Sequence, residues 1–175
     1  MAPRGGTVPR MATLHQGRFT ADVEGDFVVL LIGMRFNKPW LVHRWLPVAR
    51  AMFSMLKWLD AHPEAGLLGY HQYVGRTTLM VQYWRDFESL NRFARAPELP
   101  HLGPWRAFNK AVRDNGDVGI YHETYRVRAG EYEAIYGNMP VFGLAAATAH
   151  APVAKRGQSA AGRMGGADEP ALDVY

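Results

Sequence analysis

The run Phe27–Phe36 (FVVLLIGMRF) is apolar at both odd and even positions, which is the pattern of a central strand buried on both faces. Asn37-Lys38-Pro39 closes it. The period then changes. Residues 40–45 read as a short turn or helix, and Pro47 as the first turn of a longer helix, where its missing N–H costs nothing. Val48, Met52, Met55, Leu56 and Leu59 recur at helical spacing as a buried stripe, and Pro63 and Gly66 end it. Residues 67–74 and 77–84 alternate with a period of two and are joined at Gly75-Arg76, a compact hairpin. In the second of these, Leu79, Val81 and Tyr83 share one face, and Thr78, Met80, Gln82 and Trp84 the other. Asp86 is placed to cap a helix whose apolar side is Phe87, Leu90 and Phe93. A further helix is predicted over residues 104–113, and residues 118–127 form the last strand after the Asn115-Gly116 turn.

The predicted order is strand, helix, strand, strand, helix, strand, so the fold class is α+β and the plan is ferredoxin-like, β-α-β-β-α-β. Helices cover one face of such a sheet, and the other face needs a cover of its own. A second copy of the sheet supplies it, which predicts a homodimer, a dimeric α+β barrel enclosing a pocket. The predicted domain spans residues 17–143, with a flexible N-terminal arm over 1–16 and a short edge strand over 17–23. Residues 132–142 hold a short ordered candidate. Residues 144–175 are rich in Ala and Gly without periodicity, and read as a flexible tail or an arm lying on a partner subunit.

Composition narrows the chemistry. With 48% apolar residues among 175, the chain can build a sizeable core. It has no cysteine, which excludes disulfides, thiolate zinc sites and a cysteine nucleophile. The net charge of +4 is mild, and Arg4, Arg10 and Arg18 all precede the first acid, Asp22; no basic face forms, so nucleic acid is not expected as a partner. The longest apolar run, residues 27–34, is far short of the roughly 20 residues that span a bilayer, and no secretory signal is seen, so the expected location is the cytoplasm. No GxGxxG or GxxxxGK motif is present, so neither a flavin nor a nicotinamide site is expected, and there is no GxSxG elbow. Histidines at helical i, i+4 spacing with carboxylate company are missing, which argues against a protein-bound metal ion.

The candidate functional residues follow from alternation. His122 lies mid-strand and alternates with Val118, Ile120 and Thr124; if that face lines the sheet cavity, His122 points into the pocket as a base or axial ligand. The bland alternative is a half-buried histidine bonded to a neighbouring strand. His71 alternates with Gly69 and Tyr73 and is either pocket-lining or solvent-facing. Arg35 is an unusual charge in a central strand; it forms a structural pair with Asp26, Glu123 or Asp117, or holds a ligand carboxylate. Aromatic residues, Tyr83 and Tyr125 among them, lie in the strands that line the expected pocket, and serve as core, interface or ligand contacts.

The segments DFVVLLIGMRFNKPW, MVQYWRDFESLNRFAR, HLGPWRAFNK and GDVGIYHETYRVRAGEYEAIYGNMP carry a resemblance that spans roughly residues 17–143. They are similar to the antibiotic-biosynthesis-type monooxygenase superfamily, in a bacterial and fungal clade that includes a polyketide-cleaving monooxygenase of the fumagillin pathway. The resemblance implies a dimeric α+β barrel and oxidation of a hydrophobic small molecule, polyketide-like or aromatic, in secondary metabolism. It also implies that the second helical region borders the pocket. His101, Trp105 and Asn109, at i, i+4 and i+8, would then share one wall, although Gly103-Pro104 favours a helix start after His101. Three readings stay open. One is a cofactor-free monooxygenase with His122 or His101 as base, and Trp105, Asn109, Tyr125, Tyr83, Arg35 and His71 as substrate contacts. Another is a heme enzyme of the same fold, aldoxime-dehydratase-like or peroxidase-like, with His122 or His101 as axial ligand. The third is a non-catalytic dimeric protein that binds a small molecule.

Overall fold

The computed structural model describes residues 13–96 and 116–170. After β1 (His15–Asp22), the main unit runs β2 (Phe27–Phe36), α1 (Val42–Ala61), a 3-10 turn at Pro63–Ala65, β3 (Leu67–Tyr73), β4 (Leu79–Trp84), α2 (Phe87–Arg95) and β5 (Val118–Val127). These strands form one sheet in the order β3-β4-β2-β5, antiparallel at every junction. This is the ferredoxin-like α+β architecture expected from the periodicity.

The even-numbered residues of β2 and β4 face the helices. Val28, Leu30 and Trp84 are buried with Leu59 of α1 and Leu90 and Phe93 of α2, and Met55 and Trp58 pack on the same cluster. Farther along the sheet, Met34 and Val118 meet Trp45, Val48 and Ala49 of α1. The helix α1 is continuous from Val42, so Pro47 lies inside it rather than opening a second helix. The imide removes one backbone bond there. Side-chain anchoring offsets that loss at the N-terminal end, where Trp45 Nε1 donates to the Pro39 carbonyl at 2.9 Å and its ring meets Phe36 edge-on at 4.9 Å. At the other end Gly66 is required twice over. Its φ of 96° is left-handed, and a Cβ there would sit 2.6 Å from the Ser89 Cβ. Asp86 caps α2 as expected, its Oδ1 accepting from the Ser89 N–H at 2.6 Å.

Three sequence expectations change. The strand over residues 17–23 was expected at an edge; β1 is instead the middle of a second sheet, order β6-β1-β7, with β6 at Tyr136–Met139 and β7 at Ala149–Pro152. The Ala/Gly-rich stretch expected to be a flexible tail forms α3 (Gly143–Ala147), β7, α4 (Val153–Arg156) and α5 (Ala160–Arg163). Small side chains give little periodic signal, yet they bury well: Ala145 is 2% and Ala151 3% exposed. Polar anchors complete the segment. Arg163 is buried and donates to Glu133 and to the Gly157 and Gln158 carbonyls, while Lys155 and Arg156 pair with Asp22 at 3.5 and 3.2 Å.

The third change concerns the bare sheet face. Phe19, Ala21, Tyr132 and Leu144 of the second unit pack on Phe27, Val29, Tyr83 and Val127, so the chain covers one end of that face itself. No helix among the described residues is long and apolar enough to cross a membrane.

Candidate functional site

A cavity of about 310 Å³ lies between α1 and the helix-facing side of the sheet. Its volume is at the low end of the roughly 300–1,000 Å³ typical of small-molecule sites. Val48, Ala49, Met52 and Phe53 of α1 form the roof. The floor is set by strand register. Gln72 pairs with Met80, Met80 with Ile32, and Ile32 with His122, so one row of side chains crosses all four strands on the helix side. Beside it run Thr78, Met34 and Ile120. Thr78 is buried, and its hydroxyl is committed to the backbone of Met34, accepting from N–H at 3.0 Å and donating to the carbonyl at 3.3 Å.

His122 therefore reaches a cavity, and it does so on the Val118/Ile120 face. The cavity is not the one expected. It lies under α1 and not between two stacked sheets, because even-numbered β5 residues pair with even-numbered β2 residues, and those face the helices. No carboxylate, lysine or arginine lines it among the described residues. His122 is exposed on β5, an edge strand, while Met80 beneath α1 is 3% exposed.

The other expected site residues do not gather there. Arg35, His71, Tyr83 and Tyr125 are odd-numbered and face the opposite side of the sheet. Arg35 Nη1 donates to the Thr77 hydroxyl at 2.7 Å, so its partner is Thr77 and not Asp26, Glu123 or Asp117. Asp117 is instead engaged by Lys38 at 2.7 Å. The Tyr125 hydroxyl donates to Glu123 at 2.5 Å, and Tyr125 is 51% exposed. Tyr83 is half-buried, and burial together with the neighbouring Tyr136 and Tyr73 pushes its phenol up to about 12. His71 Nε2 accepts from the Gly143 N–H at 2.9 Å, and its ring lies 4.2 Å from that of Phe142. His101, Trp105 and Asn109 lie outside the described residues. No cluster of three or more metal-ligating side chains occurs among the described residues.

The pattern of the monooxygenase af470-like family matches residues 27–144. The chain belongs to this family. It is 31% identical over 149 residues to monooxygenase af470 of Aspergillus fumigatus, an alignment that takes in 73% of this chain and 53% of that relative. The chain thus spans about half the relative's length. Among solved structures it resembles the aldoxime dehydratase OxdRE in complex with butyraldoxime, with a TM-score of 0.58 and 15% identity, over 71% of this chain and 38% of that one. That likeness carries the fold alone.

All the cavity-lining residues of this monooxygenase af470-like chain fall inside the matched segment, whereas β1 and β7 of the second sheet fall outside it. Sequence reasoning missed Gln72, Thr78 and the thioethers of Met34, Met52 and Met80 as lining residues. Met52 was legible as part of a helical stripe, but the stripe does not say which turn packs on the core and which roofs a cavity. Gln72 carried no signal, because its face depends on the β3-β4 register.

Proposed function

We propose that the chain is a small monooxygenase that oxidises an uncharged, apolar, electron-rich molecule in the cavity beneath α1, with His122 as the base. The observation that carries this reading is His122 set on the edge of a cavity walled mostly by aliphatic, thioether and aromatic groups, with no charged side chain among the described lining residues. Membership of the monooxygenase af470-like family supports the reaction class. A neutral imidazole takes a proton from an activated C–H of the substrate. The carbanion then gives electrons to dioxygen. For a methylene flanked by electron-withdrawing groups the step balances without an external reductant: CH2 and O2 become C=O and H2O. One oxygen atom enters the product, and the other leaves as water with the two hydrogens lost.

Heme is the weaker reading for these residues. A cavity of about 310 Å³ is small for a porphyrin, and no arginine or lysine lines it among the described residues to meet the propionates. The part of the bare sheet face that β1 and α3 leave uncovered is, in this reading, the surface on which a second copy docks.

The test is oxygen uptake by heme- and metal-free protein with methylene substrates of the anthrone type. His122→Ala, with a far-ultraviolet dichroism spectrum like the parent's, is expected to lose about 10²- to 10⁴-fold in kcat/KM. Equal turnover in the variant would remove His122 from the mechanism. A Soret band in the purified protein that disappears in the same variant would replace this reading with the heme one. Ligand binding with no oxygen uptake by any substrate would leave a binding protein.

A further inference from the structure

The row that floors the cavity has a chemical pattern of its own. Gln72 is on β3 and His122 on β5, the two edge strands of the main sheet, and both are exposed. Between them lie Met80 and Ile32, apolar and less accessible. Neighbouring strands are about 4.8 Å apart, so the two polar ends are separated by three spacings, about 14 Å. The parallel row adds no free polar group, since Thr78 spends its hydroxyl on the Met34 backbone. The α1 roof adds none either, being Val48, Ala49, Met52 and Phe53. The Tyr121 hydroxyl is likewise committed, donating to the Thr78 carbonyl at 2.8 Å, so the uncommitted polar side chains of the lining are those at its two ends.

We propose that the cavity takes an elongated ligand lying across the strands, with one neutral hydrogen-bonding group at each end, and that Gln72 is the residue that fixes its length. The identification of that ligand as a substrate rests on the oxygenase reading above; its shape and polarity do not. A terminal hydroxyl, carbonyl or amide meets Gln72, whose side-chain amide both donates and accepts. The other end meets the His122 imidazole. A carboxylate end is disfavoured, because among the described residues no cation lines the cavity to compensate its desolvation. Gln72 acts on position and selection and leaves the proton transfer to His122.

The test is calorimetric titration of the intact chain with a homologous series of linear α,ω-diols and the matching primary alcohols. Affinity is expected to peak at one diol length, where the second hydroxyl adds about fivefold over the primary alcohol, the factor a typical net hydrogen bond carries. Gln72→Ala should bring that diol down to the level of the alcohol and lower the alcohol series by a smaller factor. Gln72→Asn, one methylene shorter, should move the optimum to a longer diol, a shift that damage to the fold would not produce. A flat length profile, or equal losses for diols and alcohols in Gln72→Ala, would overturn the proposal. Oxygen-uptake assays bear on the other reading separately: a clear length optimum without oxygen consumption sustains the two-ended cavity and defeats the oxygenase.

Discussion

His71 accepts the Gly143 N–H through Nε2, so the imidazole must be unprotonated at that nitrogen for the main sheet to hold the start of α3. Burial holds its pKa below the ordinary 6.5. The consequence for stability has a definite sign. In the unfolded chain His71 protonates near 6.5, so as pH falls below that value the unfolded state binds more protons and the folded state loses ground; above it His71 contributes no pH dependence. His71→Gln keeps an oxygen acceptor for Gly143 without the titration. The variant's denaturant midpoint should therefore fall less than the parent's between about pH 7 and pH 5. Parallel losses in both proteins would show that the His71–Gly143 bond does not couple to pH. At this scale alternation was a good guide to faces: it placed His122 with Val118 and Ile120, and His71 with Tyr73, as found. It could not say which face held a cavity, since that depends on α1 and not on the strand itself.

The helix α2 shows how a short element is fixed at one end. Asp86 Oδ1 accepts from the Ser89 N–H, and Arg85 Nε donates to Oδ2 at 2.9 Å. Hydrogen bonding from the Ser89 side chain, then from its backbone N–H and from Arg85, holds the Asp86 carboxyl at about 2, well below its ordinary 3.8. Because the folded value is depressed, the cap stabilises fully above the ordinary carboxylate range and is lost as pH falls through about 2. Asp86→Ala is expected to cost about 1 kcal/mol in chemical denaturation at neutral pH, and Asp86→Asn much less, since Asn caps nearly as well. An equal cost for both would assign the effect to charge instead of capping. This cap was legible from one residue and its position before an apolar run. The hairpin between β3 and β4 was not. A two-residue turn at Gly75-Arg76 would pair Val74 with Thr77 and put Gln72 opposite Leu79; the chain instead pairs Tyr73 with Leu79 and Gln72 with Met80. One residue of slip moves a side chain to the other face of its neighbours, so the cavity floor could not be read before the register was known.

At the scale of the molecule, the β-α-β-β-α-β order was legible because each element is long enough to show its period, while β1's partners in the second sheet were hidden in strands of four residues and a run of alanines. That hidden unit changes the argument for assembly. A sheet with one naked face calls for a cover, and here β1, β6 and α3 cover the end around Phe27, Val29 and Tyr83, while residues 142–147 cover β3 at Gly69 and His71. Beyond these the same face carries Leu31 opposite Val81, with Leu79 and Tyr73 alongside and Glu123 and Tyr125 on β5. Leu31, Leu79 and Val81 are half-buried, and Tyr73 and Tyr125 are 47% and 51% exposed. This is an apolar centre with a polar margin, as self-association surfaces are built. Light scattering on the intact chain is therefore expected to give twice the 19.6 kDa chain mass. Val81→Glu, which sets an unpaired charge at the centre of the patch, should return it to 19.6 kDa with the dichroism spectrum unchanged. Because the cavity opens on the opposite side of the sheet, that variant should bind the cavity ligands as the parent does. A parent chain that is monomeric at every concentration would mean that the second sheet alone suffices as a cover; a Val81→Glu protein that stays dimeric would move the interface elsewhere.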